Sequence, residues 1–205
     1  MNSKIEINPE NFPQEIIESF INGESSRLVY IGGISGSGKT IFALSLLVAV
    51  NPVHSIYINP NIDRIRFEKQ FPQFTAQRNE IIEIIDRPKL ISFLDSELKK
   101  SRASFEGLLT RLLLLKIGNN RSAPDGRRII IIDNWYTVLL TIIRAIEKEN
   151  YNIREKDLID KFSWILEDIL SDKNNLSVIL VEERVKRNAV ENIADISVYL
   201  SETEL

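Results

Sequence analysis

The eight residues Gly33-Ile34-Ser35-Gly36-Ser37-Gly38-Lys39-Thr40 constrain this chain more than any other stretch. They spell G-x-x-x-x-G-K-[ST] in full, between a predicted strand at 27–31 and an apolar helical pattern that starts at Ile41. Chemistry accounts for the spelling. Glycines in such a loop permit turns and close backbone approaches that a Cβ would block. The inward-facing amides then form a nest for an anion, and the positive end of the following helix strengthens it. Gly33, Ser35, Gly36, Ser37, Gly38, Lys39 and Thr40 are therefore the expected phosphate-binding residues. Lys39 brings a mobile charge to the β- and γ-phosphates, and Thr40 offers a hydroxyl ligand to Mg²⁺, so ATP and Mg²⁺ are the implied ligands.

The rest of the chain supplies a matching frame. Apolar runs at 28–31, 55–58, 81–85, 129–132, 178–181 and 196–200 are continuous rather than alternating, which suits parallel strands covered on both faces. Helical patterns fill the intervals, at 40–50, 88–117 and 155–170. In the last, Leu158, Phe162, Ile165 and Ile169 recur at steps of four, three and four, and Trp164 is assigned to the same packing. Strand–helix alternation implies right-handed crossovers and an α/β, doubly wound, mainly parallel sheet with helices on both faces. At 205 residues, 43% hydrophobic and 27% charged, the chain suits one domain with one sizeable core. Residues 1–26 read as an N-terminal helical extension, because Ile16, Ile17, Phe20 and Ile21 fall at helical spacing.

Several functions are excluded or disfavoured at once. A net charge of −3 argues against a globally basic nucleic-acid binder. The absence of Cys removes disulfides, thiolate catalysis and Cys-based zinc sites, and His54 has no second histidine to share a metal. The richest apolar stretch, 108–117, is broken by Thr110, Arg111 and Lys116 and is too short to span a bilayer. With no apolar leader at Met1, the expectation is a cytoplasmic protein with no membrane partner.

A second phosphate-site element is the run Arg128-Ile129-Ile130-Ile131-Ile132-Asp133. It reads as a buried central strand that delivers Asp133 at its carboxyl end, the side where open α/β sheets bind ligands. There Asp133 serves the Mg²⁺ shell, as Thr40 does, so Lys39, Thr40 and Asp133 are the expected catalytic and metal residues. Trp135 and Tyr136 behind it read as core aromatics rather than base-stacking ones.

From Arg27 onward the chain resembles a RecA/RadA/KaiC-type P-loop ATPase core, most closely the short archaeal RadA paralogues and KaiC-like proteins. The resemblance rests on Leu28–Leu44, Ser55-Ile-Tyr-Ile-Asn, Ile131-Ile-Asp-Asn and Ala194-Asp-Ile-Ser-Val-Tyr-Leu. It implies a RecA-like sheet in which the strand ending in Glu182-Glu183 lies between the loop strand and the Asp133 strand. It also implies a glutamate just after the second strand to activate water. Asn61 stands at about that position and Asn134, not Glu, follows Asp133, so weak hydrolysis at most is expected. Asp63 is a substitute two residues on. Glu182 and Glu183 are candidates for a displaced base, or for carboxylates that lessen phosphate affinity.

The resemblance further implies an accessory or regulatory role in DNA recombination or repair. Partners are then a RecA-family protein or further copies of this chain, and single-stranded DNA contacted through Arg121, Arg127 and Arg128 or through Lys186 and Arg187. Arg184, Lys186 and Arg187 also read as charge sensors or as a solvated loop. The segment 184–194 is short for a recombinase DNA loop, and no Phe-x-x-Ala tag occurs. A KaiC-like nucleotide-switched assembly module that does not bind DNA is the alternative. A small-molecule P-loop kinase ranks below both.

Overall fold

The computed structural model describes residues 3–7, 28–50, 54–75, 82–100, 104–114, 128–147, 155–171, 176–183 and 189–200. Among these residues seven strands form one sheet: β1 Ser3–Ile7, β2 Leu28–Gly33, β3 His54–Ile58, β4 Ile82–Ile85, β5 Arg128–Asp133, β6 Leu176–Glu182 and β7 Ile196–Leu200. Their order is β1-β7-β2-β6-β5-β3-β4, and every neighbouring pair is parallel. Strand β6 lies between the loop strand β2 and the Asp133 strand β5. That order removes kinases in which those two strands are adjacent.

Eight helices are described: α1 Lys39–Val50, α2 Arg64–Gln70, α3 Pro72–Thr75, α4 Arg87–Lys100, α5 Phe105–Leu113, α6 Trp135–Glu147, α7 Glu155–Ser171 and α8 Ala189–Ile193. Successive strand residues point to opposite faces, and each face is closed by its own helices. Val29, Ile31, Ile129, Ile131, Ile179 and Val181 pack with Phe42, Leu46 and Leu47 of α1 and Phe67 of α2. Leu28, Ile130, Ile132, Val178 and Leu180 pack on the other side with Leu108 of α5, Val138 of α6 and Phe162 of α7. Trp135 is buried there, stacked on Phe162 with ring centroids 5.2 Å apart. The doubly wound α/β architecture expected from the sequence is the one observed.

Three details differ from expectation. The helical pattern at 88–117 is two helices, because Ser104 caps the second by accepting from the Gly107 amide at 3.1 Å. Ser3–Ile7 is a strand rather than part of a helical extension; Lys4-Ile5-Glu6-Ile7 alternates with period two, and Ile5 sits in register with Val198 of β7. Residues 9–22, which carry the helical spacing, lie outside the described residues. Trp164 is 62% exposed rather than packed, since one residue is a 100° step on a helix and Ile165 is the one that faces the core. No helix among the described residues is long and apolar enough to cross a membrane.

Candidate functional site

The loop leaves β2 at Gly33 and enters α1 at Lys39, over the carboxyl ends of the strands. Gly36 and Gly38 have φ of 82° and 83°, the left-handed region that favours glycine. Among the described residues, a Cβ on either would meet no atom within 4 Å beyond its own chain neighbours. No described residue outside the loop occupies that space, and it suits a ligand that approaches the backbone closely.

The Ile34 carbonyl organises the loop. It accepts from the Ser37 amide at 3.3 Å, from Ser37 Oγ at 2.9 Å and from Lys39 Nζ. Lys39 is thus folded back over the loop, and burial holds its pKa below the ordinary lysine value, against the opposing charges of Glu183 and Asp133. A phosphate oxygen would replace that carbonyl as the ammonium's acceptor and add the full charge that the carbonyl lacks.

Asp133 projects from the end of β5 onto the α1 side, following Ile129 and Ile131. It is only 8% exposed. Its Oδ2 accepts from Thr40 Oγ1 at 2.8 Å, from Tyr57 Oη at 2.5 Å and from Asn59 Nδ2 at 3.1 Å. Burial pushes its pKa up, while those three hydrogen bonds and the Lys39 charge pull it down; burial dominates. The backbone turn that holds it is specific: Asn134 takes φ of 58°, donates its amide to the Val181 carbonyl at 2.9 Å and accepts from Thr137 Oγ1 at 2.7 Å. Asn is among the few residues that tolerate that conformation.

Around these groups lies a cavity of about 590 Å³. Its lining includes Ser35, Gly36, Gly38, Lys39 and Thr40 of the loop region, and Asn59, Asn61, Asp133 and Glu183 at strand ends. Ile41, Gln70 and Phe71 add to the wall. Gly33 and Ser37 shape the loop from below instead: a Cβ on Gly33 would lie 2.5 Å from the Leu200 carbonyl oxygen, and Ser37 is buried.

The two glutamates separate. Glu182 continues the alternation of Val178 and Leu180 onto the far face, where it accepts from Tyr30 Oη at 2.8 Å, so the structure does not bring it to the loop. Glu183 lines the cavity. Asn61 lines it too; its residue is exposed, and its backbone N–H donates to Asn59 Oδ1 at 2.8 Å. Asp63 instead caps α2 by accepting from the Arg66 amide at 2.8 Å. Arg128 opens β5, at the end of the sheet away from the cavity. Arg121, Arg127, Arg184, Lys186 and Arg187 lie outside the described residues.

Sequence reasoning missed Tyr57, which stands beside Asp133. The relation that places it is set by the β3–β5 register rather than by the sequence: Tyr57 and Asp133 fall on the same face of adjacent strands, two residues apart. The donor set suits a hard cation. One hydroxyl and one carboxylate are what Mg²⁺ usually takes from a protein, with waters and phosphate oxygens filling the rest. Among the described residues no cluster of three or more His, Cys, Asp or Glu offers a different metal site.

A parallel sheet in this order, with a phosphate-type loop between β2 and α1, defines a RecA-like P-loop fold. The flagellar accessory protein FlaH from Methanocaldococcus jannaschii is similar at a TM-score of 0.50 and 16% identity, over 89% of this chain and 73% of FlaH. A second solved structure, an ATPase domain, matches at 0.47 and 15%, over 84% of this chain and 68% of that one. At 16% identity the likeness to FlaH concerns the fold alone. No protein-family model and no curated protein sequence matches the chain.

Proposed function

We propose that this chain binds ATP with Mg²⁺ in the cavity between the 33–40 loop and the tips of β3, β5 and β6. In this reading it acts as an accessory or regulatory RecA-like protein in DNA recombination or repair. The observation that carries the site is the 2.8 Å hydrogen bond from Thr40 Oγ1 to Asp133 Oδ2. It joins residues 93 positions apart in the sequence, and it brings the two oxygen groups a phosphate-bound Mg²⁺ would use to one point.

The roles follow from the groups present. The loop amides and Lys39 hold the phosphates, and Thr40 and Asp133 hold the metal, whose charge offsets that of the triphosphate when bound. Binding needs no base; turnover does. Asn61 and Asn59, amides that line the cavity near the place the resemblance gives the base, cannot accept a proton from water as a carboxylate can. That leaves Glu183, displaced from that place, as the remaining candidate on the wall. Nucleotide thus serves chiefly as a ligand, and phosphate release is slow. Single-stranded DNA binding tests the recombination role: affinity should rise when Mg-ATP is present and fall steeply with salt, as each phosphate contact releases counterions. No binding at low salt, with or without nucleotide, refutes that role.

The amide at Asn61 favours a second reading, a nucleotide-switched assembly module. A site that holds nucleotide without consuming it can bias an oligomeric equilibrium for as long as the ligand stays. Sedimentation with and without Mg-ATP decides it. Identical mass and shape in both conditions rule the switch out.

A further inference from the structure

Tyr57 is buried behind the cavity and Asn59 stands on its wall, and both converge on the metal-site carboxylate. The β3–β5 register sets Tyr57 against Ile131 and Ile58 against Ile132, so the next residue, Asn59, comes level with Asp133. Tyr57 reaches Asp133 Oδ2 at 2.5 Å and Asn59 reaches the same atom at 3.1 Å. Asn59 Nδ2 also donates to Tyr57 Oη at 3.1 Å, and Asn59 Oδ1 accepts from the Asn61 backbone N–H at 2.8 Å. The phenol ring is fully buried and lies against Phe67, with ring centroids 4.8 Å apart. The hydroxyl therefore has one direction to point.

The nature of these donors matters as much as their number. A phenol, a primary amide and the Thr40 hydroxyl are all neutral. Neutral donors fix the direction of a carboxylate and leave its negative charge for a cation, whereas an arginine at the same place would fix it and cancel it. We infer that Tyr57 and Asn59 are positioning residues for the magnesium site: together they lock the Asp133 carboxylate beside Thr40. The inference rests on the magnesium-nucleotide reading above. Partners of this kind, which orient a ligand without touching the metal, typically govern metal affinity by about 10- to 100-fold.

The test uses the full chain, a fluorescent ADP analogue as probe, and Mg²⁺ titrated at fixed nucleotide. Tyr57→Phe removes one hydroxyl and keeps the ring against Phe67. Asn59→Ala, at a half-buried position just past the end of β3, is the second variant. Each should raise the Mg²⁺ concentration for half-saturation, Tyr57→Phe by about 10- to 100-fold. In Tyr57→Phe, whose side chain lies outside the cavity lining, affinity for the same probe in EDTA should change less than about twofold, because the loop amides and Lys39 are untouched; that split is one a general loss of structure would not produce. An unchanged Mg²⁺ requirement in both variants, with a normal requirement in the unmodified chain, overturns this inference alone. Equal losses with and without metal in Tyr57→Phe do so as well. An unmodified chain that binds the probe with no dependence on Mg²⁺ overturns both the inference and the magnesium part of the reading beneath it.

Discussion

Tyr30→Phe separates the two glutamates at the end of β6 by what each does. In the native chain the Tyr30 hydroxyl donates to Glu182 Oε2 at 2.8 Å, inside the helical layer formed by α4 to α7. Burial and the neighbouring Glu182 push the phenol pKa well above its ordinary value, so it remains a donor at every working pH. Removing the hydroxyl leaves a carboxyl that is 6% exposed with one donor fewer. A buried group deprived of a partner costs about 1–3 kcal/mol. For a domain of this size each kcal/mol moves the melting point by about 2–4 °C, so Tm should fall by roughly 2–12 °C. Nucleotide affinity should stay within about twofold, since Glu182 faces away from the loop. Thermal melts followed by circular dichroism and a parallel nucleotide titration read the two quantities. An unchanged Tm with weakened nucleotide binding would refute the reasoning, because it would return Glu182 to the phosphate site.

Glu183→Gln should show the converse, an unchanged melt and a few-fold tighter ATP binding in calorimetry, as a carboxylate near the triphosphate repels it; weaker ATP binding contradicts this. Lys39→Ala should abolish detectable nucleotide binding while the circular dichroism spectrum and the cooperative melt persist, since the ammonium bonds only within its own loop among the contacts described. Asp133→Asn should remove the Mg²⁺-dependent part of nucleotide affinity without lowering Tm in EDTA, because the amide keeps an acceptor for Tyr57 and Thr40 and removes a buried charge; a large drop in Tm contradicts the assignment. Trp164→Ser should change stability by less than about 0.5 kcal/mol in urea titrations, as expected for an exposed side chain.

How much of this was legible in the sequence depends on the range of the interaction that decides each feature. The six core strands and the position of Asp133 were readable, because each is a local run of β-branched residues with a local ending. The loop was readable because its glycines, Lys39 and Thr40 act within eight residues of one another. The break at Ser104 was not legible because the apolar helical period continues on either side of it. Trp164 was misplaced because a hydrophobic side chain next to Ile165 looks like core until the helix phase is fixed to the residue. The division of Glu182 from Glu183 depends on the parity of β6, which a two-residue window does not set. Tyr57 is different in kind. Its bond to Asp133 spans 76 residues and exists only because β3 lies beside β5 in one register. No short-range pattern could have placed it.

Calorimetric titration of the unmodified chain with ATP, first in EDTA and then in excess Mg²⁺, tests the central claim most directly. The account predicts saturable binding of one nucleotide per chain, tightened by the metal and lost in Lys39→Ala. Heats that never saturate in either buffer, or equal affinity in the Lys39→Ala variant, would contradict it.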